Sequence, residues 1–80
     1  MNSTFTDLYA VILDSLIEAR NEKGVTQQEL AERLKKPQSF VSKYERKERR
    51  IDIGEFIIIA QCIGVNPIDL MSKAYNEGKV

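Results

Sequence analysis

The chain has 80 residues, with no histidine and a single cysteine, Cys62. Without histidine, and without a recognisable nucleophile–base pair, nothing in the sequence indicates a catalytic site, so we do not expect an enzyme. One cysteine excludes an internal disulfide bond and a cysteine-rich zinc site, and we expect neither a metal nor a cofactor. The longest apolar run, residues 56–60, is far too short to span a bilayer, and the N-terminus lacks the features of a signal peptide. We therefore expect a cytoplasmic protein that does not act in a membrane.

The length of the chain is that of one small domain, residues 1–80, with no room for a separate ligand-sensing or catalytic domain. No segment shows the alternation of apolar and polar residues that is typical of a β-strand. Capping residues predict helices that begin at Thr6, Thr26, about Gln38, Asp52 and Asn66. The first helix is predicted to run through Lys23, and Gly24, Gly64 and Gly78 are expected to stop helices. We predict an all-α fold of five packed helices.

Residues 26–45 have the pattern of two short amphipathic helices joined by a tight turn. Thr26 and Glu29 can form a capping box, in which each side chain accepts a hydrogen bond from the other residue's backbone N–H. Pro37 disfavours helix at the residue before it, so the second helix starts at about Gln38. The sequence therefore predicts a helix-turn-helix unit over residues 26–46.

The second of these helices separates its side chains by face. At 100° per residue, Phe40, Val41 and Tyr44 form one apolar cluster. The opposite face carries Gln38, Ser39, Ser42, Lys43 and Arg46. Glutamine can pair with adenine, lysine can donate to guanine, and serine is short enough to reach either, so this face suits the DNA major groove. An ordinary solvated helix also has a polar face, so the face alone does not indicate DNA binding. The types of side chain on it do.

The charges of the chain are segregated although its formal net charge is zero. Residues 33–50 hold eight basic and two acidic side chains, a net charge of +6, whereas the remainder holds four basic and ten acidic ones. A basic run can be merely solvated, but this one coincides with the helix-turn-helix. The distribution is typical of a protein that presents one positive surface to a nucleic acid.

These features resemble the XRE/Cro-repressor family of helix-turn-helix DNA-binding domains over about residues 9–70. The most specific matching residues are Thr26, Gln27, Glu29, Leu30, Ala31, Ser39, Ser42, Lys43 and Glu45, followed by residues 56–65. The resemblance implies a five-helix bundle of the lambda-repressor-like type.

The resemblance also implies roles for individual residues. Gln27, which begins the second helix, is expected to contact a DNA phosphate. Bases are expected to be contacted from the start and middle of the third helix, by Gln38, Ser39, Ser42 and Lys43. Arg20 is expected to form a structural ion pair with Glu45, although on sequence alone both could be ordinary surface charges.

Two lysines stand where the family usually has glycine, Lys35 in the turn and Lys47 in the loop after the third helix. We expect both to keep a positive φ at a cost of about 1 kcal/mol each, and to add charge near phosphate. In the alternative, the turn and the loop have a different shape, which would shift the docking angle of the third helix. Phosphate contacts are further expected from Lys36, Arg46, Lys47 and Arg49.

The last two helices carry more apolar residues than one core needs. A symmetric homodimer through the fifth helix would use them, with an interface that comprises Ile57, Ile58, Ile68, Met71 and Tyr75. In the alternative arrangement, the N-terminal segment with Phe5 and Leu8 covers these residues within one chain.

The sequence thus predicts a sequence-specific transcription regulator, a repressor or autoregulator, that binds double-stranded DNA at a two-fold symmetric operator. The alternative is an antitoxin or another protein-interaction module, whose main partner is a protein such as a toxin and whose DNA binding is secondary. RNA is a weaker candidate because the basic segment has no array of stacking aromatic side chains.

Overall fold

Five α-helices and no β-strand make up residues 4–78, whose backbone is described by a computed structural model together with the side chains of residues 8–76. The helices are α1 (Thr4–Glu22), α2 (Gln27–Leu34), α3 (Gln38–Glu45), α4 (Ile53–Ile63) and α5 (Pro67–Gly78). This order confirms the predicted all-α fold, and α2 and α3 form the predicted helix-turn-helix.

Reciprocal hydrogen bonds fix the starts of α2 and α4. Thr26 Oγ1 accepts from the Glu29 N–H at 3.0 Å, and Glu29 Oε1 accepts from the Thr26 N–H at 2.9 Å. Asp52 and Glu55 make the same pair at 2.7 and 2.9 Å. The capping box predicted at Thr26 is therefore present, and Asp52, predicted to start a helix, forms a second box with Glu55. Both boxes satisfy N–H groups that have no partner inside the helix.

The first and last helices differ in how well their starts were predicted. Asn66 Oδ1 accepts from the Ile68 N–H at 2.7 Å, so Asn66 caps α5 as expected. In contrast, α1 already includes Thr4, so Thr6 lies inside the helix and its predicted capping role is wrong. Threonine is tolerated inside helices, so its presence alone does not fix where a helix begins.

Left-handed glycines end α1 and α4. Gly24 has a φ of 70° and Gly64 a φ of 98°. Each helix closes with the two backbone bonds of a Schellman motif, at 3.0 and 3.1 Å in both cases. α1 ends at Glu22, one residue before the predicted end, and α5 still includes Gly78, the last described residue.

The core lies between α1, α2, α3 and α4. Its largest fully buried side chains are Leu13, Leu16, Leu30, Val41, Tyr44 and Ile59. Val41 and Tyr44 belong to the apolar face of α3, with Phe40 half-buried beside them. This packing turns the opposite face of α3 outward, and α5 packs on α1 with Ala74 buried.

Within residues 4–78, no single helix is long and apolar enough to cross a membrane. α4 and α5 meet that test only when they are joined across a bend of 112°. The described residues contain no group of three or more side chains that could hold a metal ion.

Candidate nucleic-acid interface

The four residues predicted to contact bases lie together on the outer face of α3. Gln38, Ser39 and Lys43 are exposed, and Ser42 is half-buried with its hydroxyl donating to the Ser39 carbonyl at 3.4 Å. Positions i, i+1, i+4 and i+5 of a helix cover an arc of about 140°. The buried face behind them holds this arc in a fixed orientation toward solvent.

A left-handed lysine precedes α3. Lys35 has a φ of 59° and ends α2 with a Schellman motif, in which the Lys36 N–H donates to the Ala31 carbonyl at 3.0 Å. Pro37 follows in an extended conformation, and α3 begins at the next residue. Lys35 is exposed, and its side chain makes no hydrogen bond or ion pair with any described residue.

A second left-handed lysine follows α3. Lys47 has a φ of 64°, and the Glu48 N–H donates to the Lys43 carbonyl at 2.8 Å in another Schellman motif. The positive φ predicted at both lysines is thus present. Glycine adopts this conformation without steric cost, so each lysine adds backbone strain that glycine would avoid. The two lysines also place two positive charges at the ends of α3.

An ion pair joins α1 to the end of α3. Arg20 Nε and Nη2 donate to the two carboxylate oxygens of Glu45 at 2.7 and 2.9 Å, and Arg20 Nη1 donates to the Val25 carbonyl at 2.9 Å. The Arg20 side chain is 11% exposed and that of Glu45 is 7% exposed. The hydrogen bonds to Glu45 raise the pKa of Arg20 although burial acts against them. The pair holds the last turn of α3 against α1.

Gln27 joins the same network. Its Nε2 donates to Glu45 Oε1 at 2.8 Å, so Gln27, Arg20 and Glu45 link α2, α1 and α3. Sequence analysis missed this contact, because a glutamine that starts a helix carries no information about an acceptor 18 residues later. The amide nitrogen has a second hydrogen, which is chemically able to donate to a phosphate.

Most of the cations predicted to contact phosphate already contact carboxylates. Arg46 Nε and Nη2 each donate to an oxygen of Glu48 at 3.1 Å, and Lys47 Nζ lies 3.4 Å from Asp14 Oδ1. Hydrogen bonding within the first pair raises the pKa of Arg46 and lowers that of Glu48. Both pairs are solvent-exposed, so they add little to stability.

Arg49 is held more firmly than Arg46. Its Nη1 and Nη2 donate to Glu55 at 3.3 and 3.1 Å, and Nη1 also donates to the Arg50 carbonyl at 2.9 Å. Its guanidinium carbon lies 4.5 Å from the centre of the Phe40 ring, and Lys36 Nζ lies 5.7 Å from the same centre. Basic groups therefore surround the exposed edge of α3.

The loop between α3 and α4 is tied to α1 through Tyr9. The Tyr9 hydroxyl oxygen accepts from the Ile51 N–H at 3.0 Å, and the Arg50 guanidinium lies 4.1 Å from the Tyr9 ring centre. Sequence analysis did not find this contact, since 42 residues separate the hydrogen-bonded pair and no local pattern reports it.

Comparisons with known proteins bear on this helix-turn-helix arrangement. The sequence profile of the helix-turn-helix family HTH_3 matches residues 16–70. An XRE-family like protein from Pseudomonas syringae pv. tomato str. DC3000 has a solved structure that is similar to this chain, with 48% sequence identity and a TM-score of 0.88. The match covers 91% of this chain and 89% of the other. The chain belongs to the XRE family of helix-turn-helix proteins.

Membership of the XRE family makes this protein a DNA-binding regulator of the XRE type, and it confirms the resemblance and the lambda-repressor-like fold inferred from sequence. No curated protein matches the chain.

The XRE-family protein also has an apolar groove between α4 and α5, of about 640 Å³. It is lined by Ile53, Phe56, Ile57, Pro67, Ile68, Met71, Ser72 and Tyr75. Of these, Ile68 and Tyr75 are 71% and 65% exposed. Four of the five residues predicted for a dimer interface thus lie together.

Ile58 is the predicted interface residue that lies elsewhere. It faces a smaller depression beside Leu34 and Phe40, near α3. A helix rotates by 100° per residue, so two consecutive isoleucines cannot share one narrow face.

Proposed function

We propose that this XRE-family protein is a dimeric, sequence-specific transcription regulator, a repressor or autoregulator, that contacts the DNA major groove with α3. One observation carries the proposal. The outer face of α3 presents a glutamine, two serines and a lysine, while its inner face is locked into the core and charged lysines flank its two ends.

Base contacts are assigned to the outer face of α3. Gln38 and Lys43 are the principal residues, because glutamine pairs with adenine and lysine donates to the acceptors of guanine. Ser39 and Ser42 assist them with short side chains that reach either base. This placement accords with the general geometry of the motif, in which the second helix of the unit enters the groove.

Phosphate contacts are assigned to the residues around α3. Lys36, Arg46, Lys47 and Arg49 supply charge, and Gln27 donates the second hydrogen of its amide. These contacts give affinity and salt dependence but carry no sequence information. When Arg46, Lys47 and Arg49 contact DNA, each must exchange its carboxylate partner for a phosphate.

Dimerisation is assigned to the groove between α4 and α5. A second copy that inserts Ile68 and Tyr75 against Ile57 and Met71 would bury apolar surface that is exposed in the single chain. Two α3 helices related by a two-fold axis would then contact half-sites about one turn of DNA apart. Ile58 lies outside this surface and has no place in the proposed interface.

The same groove favours a second candidate function. A partner protein could place an apolar helix there, as expected of an antitoxin or another interaction module whose DNA binding is secondary. Such a partner would compete with dimerisation, whereas a two-fold symmetric operator would favour dimerisation. Under either function, the site of action is the cytoplasm, where the DNA lies.

The test is selection of bound duplexes from a random pool at two salt concentrations. We expect a two-fold symmetric motif that persists at the higher salt. Lys43→Ala should relax the base preference at one position of each half-site, whereas Lys36→Ala, with the same change of charge, should weaken binding without changing the motif. Unselective binding that disappears with salt would refute the proposal and favour the protein-interaction module.

A further inference from the structure

Arg46 directly follows the last residue of α3, and its guanidinium already binds a neighbouring carboxylate. Its Nε and Nη2 donate in parallel to the two oxygens of Glu48, both at 3.1 Å. The carboxylate is anchored by its own backbone, because the Glu48 N–H donates to the Lys43 carbonyl at 2.8 Å. The pair therefore lies directly beside a residue assigned to base contact.

A phosphate would need the same edge of Arg46 that Glu48 occupies. The Nε–Nη2 edge of a guanidinium binds a carboxylate or a phosphate with the same pair of parallel hydrogen bonds. The side chains of Arg46 and Glu48 are 56% and 55% exposed. A phosphate can thus approach the edge from solvent, and it can displace the carboxylate without opening the core.

The neighbouring Arg49 is held differently. Glu55, its carboxylate partner, also accepts from the Asp52 N–H in the capping box of α4, and the guanidinium lies over the Phe40 ring. Release of Arg49 would break its bonds to Glu55, its bond to the Arg50 carbonyl and its contact with the Phe40 ring. Release of Arg46 disturbs only the two bonds to Glu48 among the contacts found for its side chain, so its partner is exchanged with fewer losses than that of Arg49.

We propose that Glu48 competes with a DNA phosphate for Arg46 and thereby lowers the affinity of the protein for DNA of any sequence. The inference rests on the proposed function, because it requires α3 to dock on DNA. Glu48 contacts no base in this scheme. It sets the strength of the electrostatic part of binding and leaves the preferred sequence unchanged.

The test is a Glu48→Gln variant, measured on the duplex selected above and on a labelled duplex of random sequence. Glu18→Gln is the matched control, because Glu18 is 59% exposed and pairs with Lys73 at 3.3 Å, between α1 and α5. It removes one negative charge and one exposed ion pair, and that pair joins α1 to α5 without involving Arg46. Circular dichroism should show the same helical content in both variants.

At low salt we expect Glu48→Gln to bind both duplexes about threefold more tightly or better, with a smaller change for Glu18→Gln. The gain should shrink as salt rises. The gain should also disappear when Glu48→Gln is made in an Arg46→Gln background, because the guanidinium for which Glu48 and the phosphate compete is then absent.

Three results would overturn the inference: no tightening, tightening equal to that of Glu18→Gln, or a gain that survives in the Arg46→Gln background. If the wild-type protein binds no duplex even at low salt, the proposed function fails and this inference fails with it. Normal wild-type binding with an unaltered Glu48→Gln variant refutes the inference alone.

Discussion

Replacing Lys35 with glycine should make the protein more stable and its DNA binding weaker. Lys35 adopts the left-handed conformation at the end of α2, with a φ of 59°. The hydrogen bonds that define this turn come from backbone groups, so they survive the substitution. The lysine side chain has no partner among the described residues, so its removal costs no native contact there.

The magnitude follows from two opposing effects. The left-handed conformation costs a residue with a Cβ about 1–2 kcal/mol, which glycine avoids. Glycine also gives the unfolded chain more freedom, which costs about 0.4–1 kcal/mol. The difference is a gain of about 0.5–1 kcal/mol, and for a domain of this size the midpoint of thermal unfolding should rise by about 3–6 °C.

Denaturation by urea, followed by circular dichroism at fixed protein concentration, measures the free energy of unfolding. Lys36→Gly is the control, since it removes the same charge from a neighbouring residue that has a negative φ. It should destabilise by about 0.5–1 kcal/mol, because glycine there relieves no strain and the variant also loses the contact of Lys36 with the Phe40 ring. Both variants should lose DNA affinity at low salt by a similar factor.

Equal destabilisation by Lys35→Gly and Lys36→Gly would refute the reasoning. It would mean that the turn at Lys35 stores no strain that glycine can release. A Lys35→Gly variant that is more stable but binds DNA as tightly as the wild type would refute only the expectation that the charge of Lys35 lies near a phosphate.

Two further predictions concern buried polar groups. The Tyr44 hydroxyl is buried with no hydrogen-bond partner among the described residues, and burial raises its pKa. Tyr44→Phe should therefore leave the free energy of unfolding unchanged or raise it by up to about 1 kcal/mol. A clear loss of stability would show that the hydroxyl has a partner. Glu45→Gln leaves Arg20 buried without its counter-charge and should cost about 2–4 kcal/mol in urea denaturation, whereas an unchanged midpoint would contradict a structural role for the pair.

Features of the fold that depend on neighbouring residues were predicted well from sequence. The capping boxes at Thr26 and Asp52 need only side chains three residues apart, and the division of α3 into two faces needs only its period. The positive φ at Lys35 and Lys47 was predicted because relatives in the family usually have glycine in the corresponding turn and loop. Thr6 was misjudged because α1 continues past a residue that can cap a helix but need not.

The surroundings of the candidate interface were less predictable. The contact of Tyr9 with Ile51 depends on how α1 crosses the loop before α4, which no local pattern records. The ion pair between Arg46 and Glu48 depends on the left-handed conformation of Lys47, which brings the two side chains together. The number of charges near α3 follows from the sequence, but which of them are paired with a carboxylate depends on the folded loop.

The Arg20–Gln27–Glu45 network has a consequence for how the protein could evolve. It fixes α3 against α1 and α2 through polar contacts among residues 20–45, and none of these contacts comes from α4 or α5. If the protein pairs through the groove as proposed, pairing leaves this network intact and raises the occupancy of a double site by effective concentration. Under the proposed function, substitutions on the outer face of α3 would change the operator while the surface proposed for pairing stays the same, and substitutions in that surface would leave the operator unchanged.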